Sequence, residues 1–400
     1  MFDAPIVPQT MLRALAFYLP QYHPVPENDA FWGKGFTEWH NVMQAQPRFR
    51  GHNQPHVPAD LGFYDLRLAE TRAAQASLAR RAGLSGFCYY HYWFSGRRLL
   101  AKPFDAVLAS GQPDFPFMLC WANENWTRAW DGSTREVLLT QQYSDADTRA
   151  HARHLAPAFA DPRYIRIHDR PVFAVYNTDQ IPCPRRWTDL LRETSLTNGF
   201  DPYLIRVERY LDRDLSPPRT LGFDAALEFQ PFSRNFRRWQ KTRPDLKRSF
   251  GRRLGHRLRR DWQRLRPRQH FDTHYNMDAF VDFDCAQPQP ASLCYPGVCP
   301  SWDNSARRPN GKAIIFQGSS PKLFARWLAT KAQAFTPPSP EENLLFVNAW
   351  NEWAEGNHLE PCRQYEHAWL DALQQGLTNP SDNTQPLLFH TTQSAKRTGE

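Results

Sequence analysis

The sequence predicts an α/β fold, a (β/α)8 TIM barrel carrying a basic helical insertion after its sixth strand. Three observations lead there. Short apolar runs alternate with helical patterns along most of the 400 residues, the mark of repeated βαβ units. Eight runs can be counted, the number a closed parallel barrel needs. No Gly-x-Gly-x-x-Gly follows the first run, which removes the main support for an open doubly wound sheet. A composition 41% apolar and 14% aromatic is ample for a large buried core.

Residues 12–18 read as the first strand. Residues 65–82 read as an amphipathic helix, with Leu66, Ala69, Ala73, Ala76 and Ala79 on one stripe and Gly83 as its cap. The second strand is 86–92, followed by a short helix at 104–110 and a third strand at 115–122. Helix 145–159 leads to strand 171–176, helix 187–194 leads to strand 203–207, and 225–229 is the sixth strand. The seventh lies within 291–298. Helix 321–334, strand 344–350 and helix 365–377 complete the set. The catalytic domain is therefore expected to span 1–377, with a polar, disordered tail over 378–400.

The net charge of +8 is uneven. Between Arg234 and Arg268, fifteen Lys and Arg face two acids, a local +13 that leaves −5 on the remainder. Within this insertion, 245–265 can be drawn as a helix with Leu246, Phe250, Leu254, Leu258, Trp262 and Leu265 on one side. Such a helix suits either a solvated face or peripheral contact with an anionic membrane. No recognition module accompanies it, so nucleic acid is not an expected partner. No run approaches the ~18 apolar residues of a spanning helix. The seven cysteines are scattered without a Cys-x-x-Cys pair, and the first residues lack an apolar signal region. The expectation is a cytoplasmic protein, peripheral at the inner membrane if the arm binds lipid.

Barrel enzymes place their chemistry where strands end. Here those ends alternate aromatic and polar side chains. The first carries Tyr18, Tyr22 and His23, the second Tyr90, His91, Tyr92 and Trp93, and the third Trp121, Asn123, Glu124, Asn125 and Trp126. The last carries Asn351, Glu352, Trp353, Glu355, His358 and Glu360. Rings that stack on pyranose faces, among planar donors and acceptors for hydroxyls, are what a sugar site requires. Glu352 and Glu355 are three apart. On one helical turn after the strand they share a face, and Gly356 can take the positive φ that ends the turn. Paired carboxylates serve glycosidic bond cleavage, although Glu-x-x-Glu also occurs on solvated helices.

Other features have two readings. His91 and Tyr92 are either site residues or core. Glu124 sits in either a sugar-binding loop or an Asn-capped turn, and Trp302-Asp303-Asn304 either meets substrate or forms an Asx turn. Asp145-x-Asp147, Asp212-x-Asp214 and Asp282-x-Asp284 each match a metal–nucleotide pattern, but three matches in one chain show how common it is, and no metal site is expected.

Segments 17–24, 32–39, 86–94, 121–126, 300–304 and 350–356 together resemble the WbsX-like family, also called the glycoside hydrolase family 99-like domain. The resemblance runs over nearly the whole chain. It implies a TIM barrel acting in biosynthesis of bacterial surface polysaccharide such as O-antigen or capsule. It also brings Trp39 into the group expected to meet an oligosaccharide or polysaccharide substrate, lipid-linked in that setting. Carried over, Glu352 is the base that helps the sugar 2-hydroxyl attack its own anomeric carbon. Glu355 is the acid for the leaving oxygen and then the base for the acceptor. That chemistry needs no metal or other cofactor. Two further readings stand beside this glycosidase or transferase. One is a nucleotide-sugar-dependent glycosyltransferase on the same barrel, and the other is a non-catalytic glycan-binding scaffold.

Overall fold

A computed structural model describes residues 12–127, 137–242 and 272–378. Eight parallel strands form the barrel: β1 (Arg13–Tyr18), β2 (Gly86–Phe94), β3 (Phe117–Trp121), β4 (Arg170–Val175), β5 (Tyr203–Glu208), β6 (Ala225–Glu228), β7 in two pieces (Cys294–Tyr295 and Gly297–Val298) and β8 (Leu344–Val347). Each pairs with the next, and β8 returns to β1 in the register Leu15↔Phe346. The helices are α1 (Pro26–Trp32), α2 (Glu38–Gln44), α3 (Ala69–Arg81), α4 (Lys102–Ser110), α5 (Asp145–Ala160), α6 (Pro184–Leu196), α7 (Arg234–Thr242), α8 (Met277–Cys285), α9 (Pro321–Ala334) and α10 (Ala368–Thr378).

The strands are almost fully buried because helices cover the outside and side chains fill the inside. At the top of the interior, Phe17 stacks on Tyr90 with centroids 5.4 Å apart and meets Phe229 edge-on at 5.5 Å. Tyr176 abuts Phe229 at 5.2 Å. This aromatic layer is a floor, and the loops at the strands' C-terminal ends stand on it.

Strand β7 is split because Pro296 has no N–H to donate. Its first half pairs with β6 and its second with β8, while the Pro296 carbonyl still accepts from the Phe346 N–H at 2.9 Å. Gly297 is required beside it, since a Cβ there would fall 2.1 Å from the Glu228 carbonyl oxygen.

Two expectations change. The stripe expected on α3 is rotated: Ala69 and Ala73 are exposed, while Arg72, Gln75, Ala76 and Ala79 face inward. Polar Gln75 is buried because it bridges two buried groups. Tyr18 donates to its Oε1 at 2.6 Å, and its Nε2 donates to Glu360 at 2.6 Å. The basic insertion was drawn from residue 234, yet Arg234–Thr242 is helix α7, with Phe236 and Trp239 in the core. The expected helix at 245–265 and nearly all of the expected tail lie outside the described residues.

Candidate active site

Strand β8 leads into a short pair, Asn351–Glu352 and Asn357–His358, joined by the 3-10 turn Trp353–Glu355. Gly356 ends that turn at φ +56°, as the sequence suggests, and a Cβ there would sit 3.0 Å from Asp303. The turn is held from behind. Asn351 accepts the Leu19 N–H at 2.7 Å and donates to the Leu19 carbonyl at 3.0 Å. The Tyr22 hydroxyl donates to the Asn351 carbonyl at 2.5 Å and accepts the Trp353 N–H at 3.2 Å. Trp353 donates to Glu360 at 2.6 Å.

Glu352 and Glu355 open into a cavity of about 430 Å³ at the barrel mouth. Its walls include Tyr90, Tyr92, Glu124, Asn125, Trp126 and Trp302 from the expected set. Asn304, the last residue of the Trp302-Asp303-Asn304 run, also lines it, as do Leu19, Tyr176, Arg209, Phe229, Arg307 and Arg308, which were not among the expected contacts. Tyr176 and Phe229 follow strands β4 and β6, so the strand-end rule reaches them. Arg209 follows β5, where its guanidinium lies 4.7 Å from the Tyr176 ring centroid and 2.7 Å from Glu124.

Arg307 has no sequence signal, yet it is central. Its Nη2 meets Glu352 at 2.6 Å, its Nη1 meets Glu355 at 2.7 Å, and its Nε meets Glu38 of α2 at 2.7 Å. Three carboxylates therefore share one guanidinium, an excess of negative charge in an enclosed place. Burial pushes the Glu352 carboxyl up to about 8, opposed by Arg307 and reinforced by Glu355 and Glu38. Burial likewise pushes Glu38 up to about 7, again against Arg307. The carboxylates hold the Arg307 guanidinium charged despite its burial. Glu355 is the more open of the pair, with its side chain 21% exposed against 8% for Glu352.

The remaining expected residues do not line this cavity, and strand parity explains several of them. On β2, Tyr90 and Tyr92 face the interior, so His91 and Trp93 face the helices. His91 Nε2 lies 3.0 Å from His151 Nε2, and Trp93 stacks on His151 at 4.9 Å. Tyr18 points outward to Gln75, and Trp121 stacks on Trp187 of α6 at 5.4 Å. Asn123 is buried, tying Asn177 down through bonds of 2.7 Å each way. Trp39 is packed between Tyr22, Tyr64 and Trp353. Tyr22, Asn351 and Trp353 support the turn from behind. His358 stacks under Trp353 at 3.7 Å. Glu360 is a buried hub taking Gln75, Tyr64 and Trp353, and burial raises it to about 7 against those bonds. His23 is fully buried, which pushes its imidazole down to about 4.

Asp303 faces a neighbouring cavity of about 280 Å³. Burial alone would raise its carboxyl, but bonds from His52 at 2.6 Å, Ser305 at 2.9 Å and Gln54 at 3.0 Å outweigh it and hold it at about 2. The Asp-x-Asp pairs serve the fold: Asp147 accepts from Trp93, Asp212 from Arg209, and Asp284 from Trp327. Among the described residues, no group of three His, Cys, Asp or Glu is arranged to hold a metal.

A closed parallel barrel with polar and acidic side chains gathered at its C-terminal mouth defines a TIM-barrel class of protein. Within that class, the chain belongs to the family described as glycosyltransferase WbsX, whose model matches residues 14–373. It is 41% identical over 387 residues to the uncharacterised protein WxcX of Xanthomonas campestris pv. campestris (strain B100), a match covering 94% of this chain and 51% of WxcX. The chain thus spans about half the length of the curated relatives it matches. Among solved structures, it is similar to a glycoside hydrolase-like protein (TM-score 0.57, 15% identity, 94% of this chain and 97% of the other). It is also similar to the GH99 endo-alpha-mannosidase of Bacteroides thetaiotaomicron (TM-score 0.54, 14% identity, 93% and 98%). At these identities the structural likenesses establish the fold alone. Among the described residues, no helix is long and apolar enough to cross a membrane.

Proposed function

We propose that this protein cleaves or transfers a glycosidic linkage in the cavity at the barrel mouth, with Glu352 and Glu355 as the reacting pair. The observation that carries this reading is the pair itself: two carboxylates on one turn, facing an aromatic-walled cavity and joined through Arg307. The family's description as a glycosyltransferase favours transfer over hydrolysis, and the substrate class in this reading is a bacterial surface polysaccharide precursor.

In the proposed step, Glu352 takes the proton of the sugar 2-hydroxyl as O2 bonds to the anomeric carbon. The bond to the leaving oxygen breaks, and that oxygen receives the Glu355 proton. Glu355, now a carboxylate, takes a proton from water or an acceptor hydroxyl as its oxygen attacks the same carbon. O2 leaves and regains its proton from Glu352. Configuration is retained through two inversions, without a carboxylate nucleophile. Glu355, the more open of the two, is the better placed to meet leaving and entering groups.

The test is a product assay by mass spectrometry. The protein and its Glu355→Gln variant are incubated with lipid-linked oligosaccharide, with and without a panel of sugar nucleotides. Glu355-dependent mass gain, or Glu355-dependent shortening, supports the reading. Mass gain confined to sugar-nucleotide reactions selects the nucleotide-sugar transferase. Binding without any Glu355-dependent product selects the non-catalytic scaffold.

A further inference from the structure

We propose that the barrel mouth holds a second carbohydrate subsite, a groove between the α1–α2 region and the loop around residues 305–311, which takes the continuation of an oligosaccharide whose reacting linkage lies at Glu352 and Glu355. This deepens the function proposed above and rests on it.

The groove has a volume of about 1200 Å³, well above the 430 Å³ of the catalytic cavity. The two meet at Arg307 and Arg308, which line both. The smaller space is the size of an ordinary small-ligand pocket, and the larger exceeds that range. A single activated sugar would leave the groove empty, whereas a chain running past Arg307 would fill it.

The chemistry of the walls matches that occupant. Trp32 stacks on Phe36 at 5.1 Å, and Phe49 stacks on His52 at 4.3 Å, so aromatic surface borders the groove. The amide side chains of Asn41, Gln44 and Gln317 line the same groove. Rings offer apolar faces to pyranose C–H groups, and amides offer paired donors and acceptors to vicinal hydroxyls. The groove carries one carboxylate among the described residues, Asp272, and Arg48 already holds it at 2.9 Å. It is therefore equipped to bind rather than to react. Arg48 also donates to the Ser305 carbonyl at 2.5 Å and to that of Arg308. The groove wall is thus tied to the loop that carries Arg307, and an occupant on one side bears on the clamp at the other. The linkage acted on is then interior to a chain, or the acceptor is itself a chain.

The test is calorimetric titration of the full chain, carrying Glu355→Gln to stop turnover, with oligosaccharides of increasing length released from a bacterial surface polysaccharide. Affinity is expected to rise with length. Adding Trp32→Ala should remove about tenfold from the longer oligosaccharides, the worth of one aromatic face, and leave the shortest unchanged. Gln44→Ala, on an exposed side chain, should act in the same direction and keeps the test open if Trp32→Ala fails to fold. Length-independent affinity, or equal losses for short and long oligosaccharides, overturns the groove while leaving the catalytic cavity standing. Absence of binding at every length overturns both.

Discussion

At the scale of single residues, the site is a contest over one guanidinium. Removing the acid should show first in turnover: Glu355→Gln is expected to lower kcat by about 10²–10⁴-fold with little change in KM, as measured by product formation from lipid-linked oligosaccharide. The pH dependence follows from Glu352. A general base works only when deprotonated, and burial lifts this carboxyl to about 8. The same step needs the acid proton on Glu355, so the buried pair must hold one proton between its members, and the rate should fall as pH rises through the region around 8, where that last proton leaves. Arg307→Gln removes the charge that opposes the lift, so this falling limb of kcat/KM should move to higher pH. The Glu-x-x-Glu pair was legible in the sequence because both carboxylates sit in one short aromatic motif. The clamp was not, because Glu38, Arg307 and Glu352 are far apart in the chain and only the closed barrel brings them together.

At the scale of elements, strand parity decides which aromatic residues can meet a ligand. The run 86–94 offers tyrosines, a histidine and a tryptophan in unbroken succession, and composition alone cannot say which half faces in. The structure assigns Tyr90 and Tyr92 to the cavity and His91 and Trp93 to the helix layer. Tyr92→Ala should thus weaken sugar binding about tenfold in calorimetry. His91→Asn should lower the unfolding midpoint in urea and leave that affinity unchanged. Strand order and most helices were readable because alternation and apolar periodicity report burial directly. The face of α3 was not, since Gln75 is buried by its bonds to Tyr18 and Glu360, which periodicity does not register.

At the scale of the whole molecule, charge is partitioned. The +13 between residues 234 and 268 opposes −5 elsewhere, but α7 belongs to the barrel through Phe236 and Trp239. A deletion meant to remove the arm without harming the body must therefore begin after Thr242. Replacing 243–271 by a short Gly-Ser linker should abolish co-sedimentation with anionic liposomes while the melting temperature is retained. Co-sedimentation that survives this deletion would remove the case for a lipid-facing arm.

The proline-split seventh strand also has a consequence for how the barrel breathes. Each half of β7 contributes only two register pairs, Ala226↔Cys294 and Leu227↔Tyr295 on one side, Gly297↔Phe346 and Val298↔Val347 on the other. The ring is therefore laced unevenly, and local opening starts where the fewest bonds must break together. In hydrogen–deuterium exchange, the amides of β6 and β7 should lose protection before those of β1 through β4. In sequence, residues 243–271 fall between β6 and β7, so a long connection between consecutive staves is tied to a ladder of only two register pairs.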